Sequence, residues 1–432
     1  MMDFFSALKA GRIGIGGADD HWTRLFAEKA FKKQQKATIY GWHVNPDESD
    51  PYTAVTYLED AVGMAPAAMG GTAFSYGSWA DAFFLPKPCM LKSDGTVAYY
   101  LDPDDYTKKA DGTASDVADD TFDGNAMMEW PMIWFKFVAG EAEGEGSFYV
   151  SDQQADEDYR CWCNIDSKNN IIPNFYTAIY QGTGTSKMRS LSGIALTTAN
   201  GNGGTTTTQE VTRATANNET ADVEWYTEVY SDRQLITALL TLITKNLNGE
   251  AIGRGIDTGS QEAKEAYISG TLNDKGQFWG DQTGTNGVKI FGMENWWGLV
   301  WHRIAGLITN DLVSAYKMTY GTADGSTADG YNQTGAGYLT GPTLPNTNNY
   351  LKTQRFGEYG LLPETVEGTG TGQTAYYCDY YYQSTGTRYV RFGGYSGSGR
   401  YAGPWYLHVN SAPGNSHWTI AASLSCKPLR KG

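Results

Sequence analysis

The sequence lacks the short motifs that mark common enzyme and metal sites. It has no H-E-x-x-H pair of zinc ligands and no G-x-S-x-G turn to carry a nucleophilic serine. Its five histidines are scattered, and its acidic residues lie mostly in turn-forming stretches that suggest no pair for glycoside cleavage. We therefore predict no catalytic residues, no metal site and no cofactor.

Cysteines are few, and their number is odd. The sequence contains Cys89, Cys161, Cys163, Cys378 and Cys426, which cannot all pair within one chain. This favours free thiols and synthesis in a reducing cytoplasm. Cys161 and Cys163 would share one face of a strand, but no second Cys or His pair lies at the spacing of a zinc site. The sequence also lacks a signal-peptide pattern and any run of about 18 apolar residues, so we expect no membrane insertion.

Charged residues make up only 19% of the chain, and the formal net charge is −15. This balance lacks the basic field that phosphate contacts need, so we predict no nucleic-acid partner. Acidic residues are absent after Asp379, whereas six basic residues follow it: Arg388, Arg391, Arg400, Lys427, Arg430 and Lys431. A basic tip on an acidic body can steer an anionic partner.

Glycine and aromatic residues are abundant instead, with 52 glycines and 13% aromatics. That composition is typical of a loop-rich β or α+β protein. Residues 1–37 have the apolar spacing of a helix, and residues 38–120 have the pattern of short strands separated by turns. The segment 127–138 is predicted as a strand with Pro131 at an edge or bulge.

The clearest helix is predicted over residues 231–249. Ser231 and Gln234 form a capping-box pattern, apolar residues recur every three or four positions, and Gly249 follows as a natural C-terminal residue. The Thr-, Asn- and Gly-rich stretch 197–220 is predicted as an exposed loop.

The stretch from Tyr389 to Ile420 is built from Tyr, Trp, Ser, Gly, Asn, His and Arg, with no Asp, Glu or Lys. Tyr and Trp give large contact area with few rotatable bonds, and Ser, Gly and Asn give adaptable hydrogen bonds. Arg and aromatic residues also dominate interface hot spots. We interpret the stretch as a binding surface; the alternative is a set of Gly-rich hairpins that pack their own aromatics.

Five segments follow one another along the chain: 125–138, 170–198, 231–249, 291–307 and 376–426. Together they resemble the C-type-lectin-like fold of formylglycine-generating-enzyme relatives and many bacteriophage tail proteins. The resemblance implies an α+β fold class. A C-type-lectin-like ligand-binding domain would span residues 121–432, preceded by the helical segment 1–37 and the β-rich region 38–120.

The last of these segments further resembles the variable region of proteins diversified by retroelements. In that pattern residues such as Gly393, Gly394, Gly403, Trp418 and Ile420 form a frame, and interleaved positions at 388–420 form the variable surface. Trp405 would add an anchor, although its codon does not fit the adenine-directed pattern of the others. The ligand-binding residues implied by the resemblance are Arg391, Tyr395, Ser396, Ser398, Arg400, Tyr401, Trp405, Tyr406, His408, Asn410, Ser411, Asn415, His417 and Thr419.

The sequence also departs from its apparent relatives. The oxidase relatives carry two cysteines four residues apart near the end of the chain, whereas Cys378 and Cys426 are widely separated here. The Glu-Pro-Asn, Gln-Pro-Asp and Trp-Asn-Asp motifs of calcium-dependent sugar binding are absent. The missing cysteine pair argues against formylglycine-forming oxidation, so the expectation is a protein that is not an enzyme. The missing motifs mean that calcium-dependent sugar binding is not implied by the resemblance.

The resemblance implies a receptor-binding phage tail or fibre protein, a homotrimer made in the bacterial cytoplasm and carried on the virion. Its partners would be a host cell-surface protein or glycan and other virion tail proteins, with Arg391 and Arg400 complementing an anionic surface. The alternatives are a purely structural tail or baseplate protein, an oxidase-like enzyme of the same fold, and a location on the bacterial cell surface.

Overall fold

Strands dominate the architecture. The computed structural model describes residues 36–319, 337–367, 377–412 and 414–429, and these ranges contain 23 β-strands and three α-helices. The chain divides into Met1–Thr38 and Ile39–Gly432, and every element described below belongs to the second unit. The described chain is thus mostly β with few helices, while the predicted helical segment 1–37 lies almost wholly outside the described residues.

The three helices are α1 (Thr207–Thr215), α2 (Tyr230–Thr244) and α3 (Gln261–Ala266). Helix α1 begins with a capping box, in which the Thr206 side chain accepts from the Gln209 backbone and the Gln209 side chain accepts from the Thr206 backbone. The prediction of an exposed loop over 197–220 is therefore wrong for residues 207–215. Thr206 and Gln209 form the capping-box pattern that marks a helix start, but the low-complexity composition around them favoured the prediction of a loop.

Helix α2 lies in the middle of the unit, and all of its residues are buried. The predicted apolar stripe is confirmed, but the predicted ends are wrong. The N-cap residue is Val229, with no side-chain cap, and the helix ends where Lys245 adopts a left-handed φ of 52°. Tertiary packing fixes the ends of a helix surrounded by protein on all sides, so its capping signals decide little.

Two sheets are formed mainly by the first half of the chain. A four-stranded sheet has the order β2-β1-β9-β8, comprising β1 (Ile39–Val44), β2 (Val55–Glu59), β8 (Trp134–Ala139) and β9 (Gly146–Ser151). A six-stranded sheet has the order β11-β23-β10-β7-β5-β6, comprising β5 (Lys87–Leu91), β6 (Val97–Tyr100), β7 (Asn125–Trp130), β10 (Phe175–Ala178), β11 (Val223–Thr227) and β23 (Leu424–Pro428).

The prediction of one strand over 127–138 is wrong, because Pro131 separates β7 from β8 and the two strands enter different sheets. A proline has no backbone N–H to continue a ladder. The six-stranded sheet joins β5 and β6 to β23 near the C-terminus. The predicted region 38–120 and the predicted domain 121–432 therefore share one sheet.

The third large sheet has nine strands in the order β16-β15-β14-β20-β21-β19-β17-β18, with β22 added beside β14. Its strands are β14 (Trp301–Asn310), β15 (Val313–Tyr316), β16 (Leu339–Thr343), β17 (Asn349–Gly357), β18 (Gly360–Val366), β19 (Tyr380–Gln383), β20 (Thr387–Gly393), β21 (Gly403–Ser411) and β22 (Ile420–Ala421). Two short hairpins complete the strands: β3 (Ala68–Gly70) with β4 (Ala73–Ser75), and β12 (Lys289–Ile290) with β13 (Met293–Glu294).

The nine-stranded sheet has one face in the protein core and one that carries the candidate site. On β21, Trp405, Leu407 and Val409 belong to the main hydrophobic cluster, which also includes the apolar residues of α2. Side chains alternate across a strand, so Tyr406, His408 and Asn410 lie on the opposite face. From Tyr406 through His408 to Asn410 the side chains change from buried to exposed.

Candidate functional site

Aromatic side chains from three strands and two loops meet on the outer face of the nine-stranded sheet. The strand register places Tyr382 of β19 beside His408 of β21, and His408 beside Arg391 of β20. The next strand, β14, contributes Trp301. We name as the aromatic face the following connected side chains: Trp301, Tyr380, Tyr382, Tyr395, Tyr401, Tyr406, His408 and Trp418.

The floor of the aromatic face is Trp301, which is 3% exposed. The Tyr406 ring meets it edge-on with centroids 4.6 Å apart, and the His408 ring lies 4.8 Å from it. Tyr382 stacks on His408 at 5.0 Å with an interplanar angle of 14°. Tyr382 itself is 37% exposed, so its ring is supported from below and accessible from outside.

A second exposed ring, Tyr401, is supported in the same way. Its centroid lies 4.3 Å from that of Tyr380 and 5.5 Å from that of Tyr350, and Tyr401 is 42% exposed. Rings held by neighbouring rings lose little conformational entropy when a partner binds. On the other side of the floor, Tyr395 links Trp301 to Trp418, with centroid distances of 6.2 and 5.7 Å.

The ligand-binding residues predicted from the sequence fall into three groups that differ in solvent exposure. The exposed ones are Tyr401, Asn410, Asn415 and His417. Those of intermediate exposure are Tyr395, Arg400 and His408. The buried ones are Arg391, Ser396, Ser398, Trp405, Tyr406, Ser411 and Thr419.

Trp405 cannot act as a contact residue on this face, contrary to the prediction. It is 3% exposed, points into the main core and meets the Tyr377 ring edge-on at 6.2 Å. The cause is the pleat of β21, which turns Trp405 inward and its neighbour Tyr406 outward. Trp405 therefore belongs to the frame, in agreement with the mismatch between its codon and the variable pattern.

Arg391 supports the aromatic face from below rather than meeting a partner. It is 6% exposed, its guanidinium lies 5.1 Å from the Trp301 centroid, and its Nη2 donates to His408 Nδ1 at 2.8 Å. Burial lowers the pKa of Arg391 to about 10. Burial, and then the Arg391 charge, hold the pKa of His408 well below its ordinary value, so the ring is a neutral acceptor.

Arg400, which was predicted to complement an anionic surface, is instead paired with a carboxylate of this chain. Arg400 lies in the 3₁₀ turn Gly399–Tyr401, and its Nη1 donates to Glu250 Oε2 at 2.8 Å. The Glu250 side chain is 3% exposed, whereas that of Arg400 is 33% exposed. The two arginines that were expected to meet an anionic surface are thus occupied within the domain, one with His408 and one with Glu250.

The loop that carries Asn415 and His417 is tied down by Arg303, a residue of β14 that is fully buried. Arg303 Nη2 donates to the Asn415 carbonyl at 2.8 Å, and Nη1 donates to Glu210 Oε2 at 2.8 Å. The guanidinium also lies 4.7 Å from the Tyr389 centroid. The hydrogen bond to Asn415 holds the loop against β14, and the buried ion pair with Glu210 fixes the position of the guanidinium.

The loop that carries Tyr395 and Tyr401 leads into β21, and Asp379 fixes the position of the chain there. Its Oδ2 accepts from the Trp405 backbone N–H at 2.6 Å, and burial raises its pKa well above the ordinary value. Gly403 packs directly on this carboxyl group, so that a Cβ at position 403 would lie 1.9 Å from Asp379 Oδ1. Gly403 therefore belongs to the frame for a steric reason.

We expect Gly403→Ala to lower the free energy of unfolding by about 2 kcal/mol, because the added methyl group forces the buried Asp379 carboxyl to move. Urea unfolding measures the change. Gly414→Ala is the matched control, since a Cβ there meets nothing within 4 Å, and its midpoint should equal that of the wild type. Equal midpoints for both variants would contradict the assignment of Gly403 to the frame.

Sequence reasoning missed several residues of the site. Tyr380 and Tyr382 precede the stretch identified from composition, and Trp301 lies far from that stretch in the sequence. A usable signal was present in the tyrosine run at 380–382, because alternate residues of a strand share a face. Arg303 and Glu210 gave no local signal, since they meet only through the fold.

The cysteines do not contribute to the aromatic face. All five are buried, and burial raises the pKa of each thiol. Within the described residues, no cluster of three or more His, Cys, Asp or Glu side chains is arranged to hold a metal ion. None of the helices in the same ranges is both long and apolar enough to cross a membrane.

The solved structures to which the chain is similar include two variants of one protein, both at low identity. The Major Tropism Determinant M1 variant is 13% identical with a TM-score of 0.29, covering 88% of this chain and 77% of that chain. The U1 variant is 12% identical with a TM-score of 0.27, covering 87% and 76%. Protein-family models and curated proteins give no match. At these TM-scores the likeness identifies neither the fold nor the function of this chain.

Proposed function

We propose that this chain is a receptor-binding protein of a bacteriophage tail or fibre and that the aromatic face is the surface that meets a host-cell protein or glycan. The observation that carries the proposal is the combination of Tyr382 and Tyr401. Each ring is more than one-third exposed and rests on another ring. Exposed aromatics on a fixed support are the residues that most often dominate binding energy.

The surroundings of these rings support a contact surface whose shape is defined by the frame. Asn410 on β21 and Asn415 and His417 on the loop that follows β21 are exposed, and they offer hydrogen bonds. Beneath them lie Arg391 and Arg303, which are buried and bonded within the domain. Substitution of the outer side chains would leave this support in place, as a diversified surface requires.

The sequence resemblance supplies the remaining parts of the proposal. The chain would act without catalysis, as a homotrimer on the virion beside other tail proteins, and several copies would raise avidity by about 10²–10⁴ if they engage together. Retroelement diversification predicts a near-copy of the last ~100 bases in the DNA beside the gene, with adenines at the variable codons, as in the known systems that the segment resembles. Sequencing that DNA tests this part separately.

Binding of the fluorescently labelled full chain to intact cells from a panel of bacterial strains tests the proposed function. We expect saturable binding to at least one strain, which unlabelled chain abolishes by competition. Saturable binding to isolated tail particles, with none to any cell, would instead indicate the structural tail or baseplate role.

A further inference from the structure

Glu250 is a buried side chain that connects the aromatic face to the domain interior through Arg400. It lies in the 3₁₀ turn Gly249–Ala251, which packs on β21: a Cβ at Gly249 would lie 2.2 Å from Pro404 Cγ. Glu250 Oε2 accepts from Arg400 at 2.8 Å, while Oε1 has no hydrogen-bond partner among the described residues. The carboxylate is thus held from one side only.

Further acidic groups surround Glu250. Asp257 and Arg254 face it from the segment that follows the turn, and Arg254 is already engaged with Asp257 at 2.7 and 2.8 Å. Asp379 and Cys378 face it from the residues before β19. Arg400 is therefore the neighbour whose charge stabilises the Glu250 carboxylate most directly, and it is also the neighbour that reaches solvent.

We propose that Glu250 is a proton-controlled latch for the aromatic face. In its charged form it holds Arg400 and the Gly399–Tyr401 turn against the domain. Proton uptake removes the ion pair and frees the Arg400 guanidinium, one residue from the exposed Tyr401 ring, to contact an anionic group on a partner. This inference rests on the proposed function and assigns to it a pH response.

Burial and the acidic neighbours of Glu250 place the change in its protonation near neutral pH. Burial is the largest cause and raises the pKa of Glu250 from 4.5 to about 7, although Arg400 opposes the rise. Because the folded-state pKa exceeds the unfolded one, the folded protein binds the additional proton between these values. Stability therefore decreases as pH rises through this window, and the charged latch is complete above it.

The latch is tested on the full chain without any partner. Side-chain ¹⁵N–¹³C NMR of the Arg400 guanidinium, assigned by the loss of its signal in Arg400→Lys, is followed from pH 5.5 to 8.5. We expect a single transition near pH 7 in the wild type. In Glu250→Gln the signal should stay at its low-pH position throughout. A flat wild-type titration, or a wild-type transition retained in Glu250→Gln, would overturn the proposal.

Two further variants sharpen the result. Glu364→Gln is the control, because it also removes a carboxylate that pairs with an arginine: Glu364 Oε1 accepts a hydrogen bond from Arg355 Nε at 2.9 Å on the hairpin β17–β18. This variant should leave the Arg400 transition unchanged. If Glu250→Gln fails to fold, Arg400→Gln is measured instead by thermal melting against pH. Removing the arginine should move the midpoint of the pH dependence upward, and an unmoved midpoint would rule out the latch. These readouts need no receptor, so their failure and the failure of the proposed function are separate outcomes.

Discussion

Replacing Arg303 by methionine is expected to lower the free energy of unfolding by about 3–5 kcal/mol, the largest single effect predicted for this chain. The Arg303 side chain is fully buried, and its removal leaves the Glu210 carboxylate, which is also buried, without its cationic partner. Burial already raises the pKa of Glu210 despite the opposing Arg303 charge. Chemical denaturation at pH 7.5 measures the loss.

Two controls identify the cause of that loss. Arg355→Met removes an arginine that is 46% exposed and pairs with Glu364, and exposed pairs contribute about 0–1 kcal/mol. Adding Glu210→Gln to Arg303→Met should restore part of the stability, because the buried charge is then absent. If Arg303→Met and Arg355→Met had equal effects, Arg303 would not anchor the 414–419 loop as described.

Replacing Tyr382 and Tyr401 together by serine is expected to weaken binding to a responsive bacterial strain by at least ~100-fold. Aromatic hot spots contribute about 2 kcal/mol or more each, and these two rings are accessible while their supports are fixed. Equilibrium binding of labelled chain to cells gives the ratio of dissociation constants. The unfolding midpoint should remain close to that of the wild type.

A matched control is available within the chain. Tyr52 and Tyr100 are 44% and 40% exposed, close to the values for Tyr401 and Tyr382, but they lie outside the aromatic face. The variant with both replaced by serine should bind as the wild type does. Equal losses in the two double variants would mean that the measured binding depends on exposed tyrosine in general and not on this surface.

The sequence contained enough information to predict one segment of the aromatic face but not to say which of its side chains are buried and which are exposed. Composition alone singled out residues 389–420, because the absence of Asp, Glu and Lys there is a local property. Which of Trp405 and Tyr406 faces outward depends on the strand register, and the register between β20 and β21 shifts between Phe392 and Gly393, opposite these two residues. A shift of one residue exchanges the two faces of a strand.

Long-range partners account for the rest of what sequence reasoning missed. Arg400 and Glu250 are far apart in sequence, as are Arg303 and Glu210, and only the fold joins them. Periodicity did predict the buried stripe of α2, because that signal lies within one helix. Its ends, and the position of α1, depended on packing and on a capping box within a low-complexity stretch.

Hydroxyl-radical footprinting of the wild-type chain, free and bound to cells, tests most directly whether the aromatic face is the contact surface. We predict that oxidation of Tyr382, Tyr401 and His417 falls on binding, while oxidation of Tyr52 and Tyr100 stays constant. Unchanged oxidation of the first three residues, with protection elsewhere on the saturably bound chain, would contradict the account.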